Sequence, residues 1–313
     1  VVDPEPSAAE LLAKAAGFRS PQEMLAERPA SAAAGLSALE WGTFAELCRK
    51  RAAEHVPVQY LVGEWDFHRI SLEMHPPTLI PRPETEELVE MVLEWLRSER
   101  LDAPDRSTGQ GRDDLRFLDV GSGTGAIGLA LLDALPNARC VAIDVQASAV
   151  QLSRRNAVRT GLSNRYECIH ADVEGFDADS HHLNDSFDFI VSNPPYIPRR
   201  DMADLPADVA EHEDSVALDG GEDGLDIVRQ LVRRCPHLLK RGGPRQLWME
   251  VDTSHPKAMQ YWLGSEAQAE APSECARQDG QGQECGGSHG VTRFEWRRDL
   301  SRRPRFVRLT FAE

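Results

Sequence analysis

The run Asn193-Pro194-Pro195-Tyr196 follows the apolar stretch Phe187–Ser192. Two adjacent prolines fix φ twice and remove two backbone donors. Carbonyls in such a turn are left as acceptors, and the Asn193 side-chain oxygen is another. The Asn193 side chain and the Pro194 carbonyl can together receive both hydrogens of an NH2 group. Tyr196 can stack on a flat amide or base. An amide nitrogen is a poor nucleophile because its lone pair is delocalised. Accepting hydrogen bonds from its N–H groups raises electron density on nitrogen and aligns it with an electrophilic methyl, so methyl transfer by positioning and electrostatics fits the turn. Asn193, Pro194 and Tyr196 are the candidate catalytic residues, and Asn193, Pro194, Pro195 and Tyr196 the candidate substrate contacts. Read as structure alone, the four residues are a proline-rich cap on a strand. No catalytic His, Ser or metal is required. His181 and His182 lack a partner spacing and read as loop residues.

A second constellation precedes it. Phe117-Leu-Asp119-Val120 runs into Gly121-Ser122-Gly123-Thr124-Gly125-Ala-Ile-Gly128. Glycines let a chain turn sharply and approach a ligand without a Cβ in the way, and the helix that begins next turns its free amides toward that ligand. Dinucleotide-binding folds use such a turn as well. Asp119 sits just before the loop and Asp144 ends the next apolar segment, where a carboxylate can accept both ribose hydroxyls. Asp172 follows the third, near where an adenine would lie. These acids tilt the reading toward S-adenosyl-L-methionine.

The elements that must hold these loops follow from periodicity. Leu115–Val120, Cys140–Ile143, Tyr166–His170, Phe187–Ser192 and Gln246–Val251 read as strands, and Ala126–Ala134, Ala147–Thr160 and Asp226–Leu239 as helices. Alternation of this kind implies a mostly parallel sheet with helices on both faces, with ligands at the carboxyl ends of the strands. Phe294–Trp296 and Phe306–Phe311 read as two closing strands around an arginine-rich turn, a solvated hairpin tip. Upstream, Ser7-Ala-Ala-Glu10 has the form of a capping box, and a helix over Ser37–Ala53 would place Leu39, Phe44, Leu47 and Cys48 on one face. Val58–Met74 reads as a strand pair, and Pro83 with the acids behind it as a helix start. Residues 102–114 read as a loop. The expected organisation is a helical docking domain over 1–56, a β-hairpin connector over 57–76 and a catalytic domain over 77–313, with a disordered insertion at 264–290.

Composition bounds the function. The 313 residues carry a net charge of -16 and 41% hydrophobic content, with no apolar run near the ~20 residues of a membrane span. An acidic surface opposes tight sequence-independent binding to nucleic acid, and neither membrane nor direct nucleic-acid contact is expected. The six cysteines form no paired spacing and are expected to be reduced. The first residue is Val1, so a processed or trimmed start is expected, with any targeting peptide gone.

Together these residues resemble the protein-(glutamine-N5) methyltransferases that modify peptide chain release factors, the HemK/PrmC type. The resemblance is densest in Val56–Phe67, Leu79–Glu86, the glycine loop, Asn193–Tyr196 and Glu213–Gly224, and the Gly63–Phe67 and Arg303–Phe306 segments are most similar to the animal mitochondrial branch. It implies an α/β, Rossmann-like class I fold with a seven-stranded mostly parallel sheet, a small N-terminal helical domain that engages the release factor, and a linking hairpin. It implies S-adenosyl-L-methionine as cofactor, a release factor as partner, the glutamine of a Gly-Gly-Gln motif as target, and a mitochondrial location. Carried over, Gly121, Ser122, Gly123, Thr124, Gly125, Asp144, Asp172 and Val173 would bind the cofactor, with Asn193 near its methyl. Arg82 and Glu84 would support the site from the Ile80–Glu84 segment, said by the resemblance to line it. Val173 stands where some members carry an aromatic residue.

Two rivals remain. Nucleic-acid amino methyltransferases use the same tetrapeptide on adenine or guanine, and Arg297, Arg298, Arg302, Arg303 and Arg305 could meet phosphates. A non-catalytic adaptor could keep the fold, against which the intact loop and tetrapeptide argue.

Overall fold

The structure, a computed structural model, describes residues 4–27, 36–99, 101, 115–176, 181, 183, 187–268, 283–284 and 288–313. The expected loop over 102–114 and most of the expected insertion, 269–282 and 285–287, lie outside the described residues.

Four helices come first: α1 (Pro4–Ala15), α2 (Pro21–Glu27), α3 (Ala38–Ala53) and α4 (Val58–Val62). Helix α1 starts three residues before Ser7, because proline is at home in a first turn. The expected capping box there is therefore helix interior. The working box is at α3, where Ser37 Oγ accepts from Glu40 N at 3.3 Å and Glu40 accepts from Ser37 N at 2.6 Å. Phe44, Leu47 and Cys48 pack with buried Leu11, Val58 and Val62, whereas Leu39 is exposed and does not share their face. Val58–Val62, expected as strand, is a single helical turn ended by left-handed Gly63. Only the second half of that stretch forms the hairpin, β1 (Glu64–Phe67) with β2 (Ile70–Glu73). Its apolar side is continuous with the main core through Phe67, Ile70, Leu72 and Met74.

Helix α5 (Pro83–Ser98) opens with proline at its start and Glu84 and Glu86 in its first turn, where carboxylates suit the helix dipole. The alternating region then runs β3 (Leu115–Val120), α6 (Ala126–Ala134), β4 (Ala138–Asp144), α7 (Ala147–Arg159), β5 (Tyr166–His170) and β6 (Phe189–Ser192). After a connection that carries the four-residue helix α8 (Ala207–Ala210) come α9 (Asp226–Leu238), β7 (Gln246–Glu250) and α10 (His255–Gln268). The chain closes with β8 (Gln283–Glu284), β9 (Val291–Arg298) and β10 (Pro304–Phe311). Helix α10 runs through Gly264, so the expected insertion cannot begin there.

The sheet order is β5-β4-β3-β6-β7-β10-β9-β8. The first five strands are parallel and β10 and β9 antiparallel, which accounts for the seven expected strands; two-residue β8 adds an eighth at the edge of β9. Strands β3, β4, β6 and β7 are buried along nearly their whole length, as helices on both faces require. Between the sheet and α5, the rings of Phe117 and Phe189 stack at 5.0 Å, and Trp95 packs against Phe189 and Trp248.

The hairpin tip between β9 and β10 is exposed from Leu300 to Arg303, as expected, and is anchored at its base. Asp299 is buried there, Leu300 N donates to Glu87 Oε2 at 2.9 Å, and Arg303 reaches Glu84 at 3.2 Å. Of the five arginines that the rival reading would set against phosphates, Arg303 is tied to α5 through Glu84 and Arg305 pairs with Asp299 at 3.3 Å. Helix α3 is joined to the connection after β6, where Arg51 pairs with Asp208 of α8 at 3.2 Å and His212 bonds the Glu54 carbonyl at 2.7 Å.

Candidate active site

The carboxyl ends of β3, β4, β5 and β6 converge on a cavity of about 340 Å³, within the ~300–1,000 Å³ usual for small-molecule sites. Its wall includes Gly121, Gly123, Asp144, Asp172, Val173 and Asn193, six of the nine residues expected to hold the cofactor. Ser122, Thr124 and Gly125 do not line it. Ser122 and Thr124 are buried behind the loop, and Gly125, at φ +85°, turns the chain into α6. A Cβ on Gly125 would meet Leu129 at 3.0 Å and Ser153 and Tyr166 at 3.2 Å, so this glycine serves helix packing.

Asp144 holds the loop from below. Gly123 N donates to its Oδ2 and Gln146 N to its Oδ1, both at 2.8 Å. Burial pushes this carboxyl up, and the two amides pull it back. A carboxylate has about four acceptor positions, so two remain for hydroxyls of a ligand. Asp119 is more deeply placed. It is wholly buried, and burial pushes it up to about 7 against the one hydrogen bond it accepts, from Gly128 N at 3.0 Å. A Cβ on Gly128 would meet its Oδ2 at 2.9 Å.

The loop is braced from the hairpin side by Asn156 of α7, fully buried. Its Nδ2 donates to the Thr124 carbonyl at 2.9 Å and to that of Glu73 at 3.1 Å, and its Oδ1 accepts from Glu73 N at 2.7 Å. An Asn in the middle of an amphipathic helix gave no sequence signal for this role.

Beside the glycine loop, at the end of the neighbouring strand β6, stands the Asn-Pro-Pro-Tyr turn. Asn193 and Pro195 line the cavity, and the Asn193 carbonyl lies 3.8 Å from where a Cβ on Gly121 would be. Among the described residues no backbone N–H donates to the Pro194 carbonyl. Tyr196 is half-buried, and its hydroxyl donates to Glu250 Oε1 at 3.2 Å. Glu250 ends β7 and has no exposed surface. Its other oxygen accepts from Thr85 Oγ1 at 2.7 Å, Thr85 Oγ1 accepts from Asn193 Nδ2 at 3.3 Å, and Arg305 Nη1 of β10 approaches Glu250 at 3.8 Å. Burial raises the Glu250 carboxyl, against the bond from Thr85 and the Arg305 charge. Thr85, Glu250 and Arg305 were not singled out from the sequence; the available signal was a lone acid ending the apolar strand Gln246–Glu250.

Arg82 and Glu84 lie outside the cavity wall. Arg82 pairs with buried Glu213 at 2.7 Å, and Ile80 N donates to the same carboxylate at 3.2 Å. Glu213 thereby fixes the Thr78–Ile80 segment, of which Thr78 and Leu79 do line the cavity. The connection 219–224 covers the outer side of the tetrapeptide: Gly220 N donates to Ile197 O at 2.9 Å, and a Cβ on Gly220 would meet Pro195 O at 2.8 Å.

The cavity wall carries Asp144, Asp172, Asp214 and Asp219 and, among the described residues, no Lys or Arg. A pyrophosphate would meet like charge there, whereas a cationic sulfonium is favoured. The glycine loop, the doubly bonded Asp144 and the apolar Val173 therefore fit S-adenosyl-L-methionine better than a dinucleotide. Among the described residues no cluster of His, Cys, Asp and Glu could hold a metal, and Cys48, Cys140, Cys168 and Cys235 are free thiols.

Comparison with known proteins agrees with this geometry. Residues 108–211 match the family model of the methyltransferase small domain. The human MTRF1L release factor glutamine methyltransferase is 41% identical over 240 residues, covering 76% of this chain and 68% of that protein. The release factor glutamine methyltransferase of Chlorobaculum tepidum is 36% identical over 243 residues, covering 77% of this chain and 76% of that one. Its counterpart in Gloeobacter violaceus is 36% identical over 205 residues, and there the match spans 63% of its length. Among solved structures, the hMettl16 catalytic domain in complex with MAT2A 3'UTR hairpin 1 superposes with a TM-score of 0.50 at 16% identity, over 86% of this chain and 79% of that one, a likeness of fold. On the strength of these relatives, the chain belongs to the release factor glutamine methyltransferase family, with the α/β class I methyltransferase fold.

Proposed function

We propose that this protein transfers a methyl group from S-adenosyl-L-methionine to the side-chain nitrogen of a glutamine in a peptide chain release factor, the glutamine of its Gly-Gly-Gln motif. The observation that carries the reading is the position of Asn193, on the wall of the acid-lined cavity and beside the glycine loop. Bound in the cavity, the cofactor supplies an electrophilic methyl on a cationic sulfur. The chain's residues do the rest by holding groups in place. Gly121, Gly123, Asp144, Asp172 and Val173 hold the cofactor, with Ser122, Thr124 and Gly125 shaping the loop from behind. The Asn193 side-chain oxygen and the Pro194 carbonyl accept the two N–H groups of the target amide, and Tyr196 with Pro195 confines its plane. Two accepted hydrogen bonds localise the nitrogen lone pair toward the methyl donor, which is catalysis by orientation and preorganised dipoles; as the N–C bond forms and the S–C bond breaks, the nitrogen gives up one N–H proton to water. Arg82 and Glu84 act at a distance, through Glu213 and the anchored hairpin between β9 and β10.

The division into a docking domain over 1–56, a connector over 57–76 and a catalytic domain over 77–313 belongs to the same proposal, as does a role in mitochondrial translation termination. The net charge of -16 supports a protein substrate over a nucleic acid one. The test is incubation of the purified protein with labelled S-adenosyl-L-methionine and recombinant mitochondrial release factor, followed by mass spectrometry of the tryptic peptide. One added methyl on the Gly-Gly-Gln glutamine is expected, and a Gln-to-Ala change there should abolish it. Labelling that persists in that mutant, or appears only on DNA or RNA, overturns the reading.

A further inference from the structure

We propose that Thr85 and Glu250 are positioning residues that fix which end of the Asn193 amide faces the substrate; this rests on reading Asn193 as the acceptor of a target N–H. The argument is an inventory of protons. Glu250 is wholly buried and, as a carboxylate, offers acceptors alone. Thr85 has one hydroxyl proton, and at 2.7 Å it is given to Glu250 Oε2. Toward Asn193 the Thr85 oxygen can then only accept, so the amide must present Nδ2 to it, as it does at 3.3 Å. Oδ1, the sole acceptor of the Asn193 side chain, is left for the cavity. Turning the amide over would set two acceptors against each other at Thr85.

The second oxygen of Glu250 accepts from the Tyr196 hydroxyl at 3.2 Å, so one carboxylate orders both ends of the tetrapeptide. Arg305 at 3.8 Å supplies the opposite charge that a buried carboxylate needs. Thr85 and Glu250 are 165 positions apart in the chain, on α5 and β7, so both elements must be in place before the direction of the amide is set.

The pair Thr85→Val and Thr85→Ser tests this. Valine keeps the size and branching of threonine and lacks the hydroxyl; serine keeps the hydroxyl. With release factor as substrate, Thr85→Val is expected to lower kcat by about 10–100-fold, the range for a lost buried hydrogen bond, with cofactor affinity within about threefold of wild type. Thr85→Ser should restore most of kcat. Independently of activity, exchange of the Asn193 side-chain amide protons, followed by nitrogen-15 NMR, should be at least about tenfold faster in Thr85→Val than in wild type or Thr85→Ser. Glu250→Gln should also lower kcat, because a glutamine NH2 can donate to Thr85 and free the hydroxyl to turn the other way. Wild-type kcat and amide exchange in Thr85→Val overturn the proposal, as does a Thr85→Ser variant as damaged as Thr85→Val. If the wild type fails to methylate glutamine, the functional reading falls, and the amide exchange still decides whether Thr85 sets the direction of Asn193.

Discussion

Gly220→Ala isolates the packing of the 219–224 connection on the reaction turn. Gly220 is outside the positive-φ glycines, so alanine meets no dihedral penalty there. What it meets is backbone: a Cβ would lie 2.7 Å from the Gly224 carbonyl oxygen, 2.8 Å from Gly224 Cα and 2.8 Å from the Pro195 carbonyl oxygen. None of the three is the end of a flexible side chain, so the connection or the tetrapeptide must move by about half an ångström or more to regain van der Waals distance. Overpacking of this kind costs about 1–3 kcal/mol, and a misplacement approaching 1 Å at a reacting group costs up to about 100-fold in rate. Gly42→Ala on α3 is the matched control. Nothing lies within 4 Å of its Cβ position, and it should raise stability by about 0.5–1 kcal/mol. Urea unfolding and kcat on the release factor, with cofactor affinity measured by calorimetry, would read the result. The expectation for Gly220→Ala is lower stability and a 10–100-fold lower kcat with cofactor affinity nearly unchanged. Wild-type kcat in a Gly220→Ala protein would refute the idea that this connection holds Asn193 and its neighbours in register.

Other perturbations separate the loop from the turn. Asp144→Asn keeps one acceptor and turns an NH2 toward either Gly123 N or Gln146 N; losing one charge-assisted bond of about 1.5–3 kcal/mol should weaken S-adenosylhomocysteine binding by roughly 10–100-fold in calorimetry, and a change under threefold would remove Asp144 from cofactor binding. Asp119 gives a pH signature. Its folded value of about 7 lies above its ordinary 3.8, so the native state holds this proton more tightly than the unfolded chain. The stability it contributes is present below about pH 4 and is lost as pH rises through 7, by at most roughly 4 kcal/mol. Denaturant titrations of Asp119→Asn should therefore lack part of the decline that wild type shows from about pH 4 to 7; parallel curves would mean that Asp119 is ionised in the fold throughout.

Much of the fold could be read from the chain because its central strands are short apolar runs bounded by turns. Leu115–Val120 and Tyr166–His170 are strands at the expected residues, as Ala126–Ala134 is a helix. Reading failed where local pattern carries no period. Val58–Val62 has a β-branched valine at each end with Tyr60 and Leu61 between, which favours a strand locally, and packing of both valines against Leu11 of α1 accompanies the helical turn it forms instead. Proline in the first turn hid the true start of α1. At the site, the glycine loop and the tetrapeptide were legible because each is contiguous and conformationally restricted. The braces were not: Asn156 to Glu73, Thr85 to Glu250 and Arg82 to Glu213 join residues 83, 165 and 131 positions apart. Such pairings arise from topology, and a single residue of the pair looks ordinary.

The register of β10 on β7 bears on vectorial synthesis. Strand β7 is paired on one side by β6, and its other edge is covered only by β10, with Phe306 opposite Glu250. During translation this edge stays open until residues 304–311 have left the ribosome, and Arg305 arrives with the same strand. A nascent chain that has already formed the glycine loop, β6 and β7 still has an unpaired strand edge and a Glu250 without its guanidinium, both unfavourable. The fold is thus closed and the reaction turn organised by one late event, so a product interrupted before residue 304 is exposed to aggregation and proteolysis rather than released as a cofactor-binding protein without a set active site.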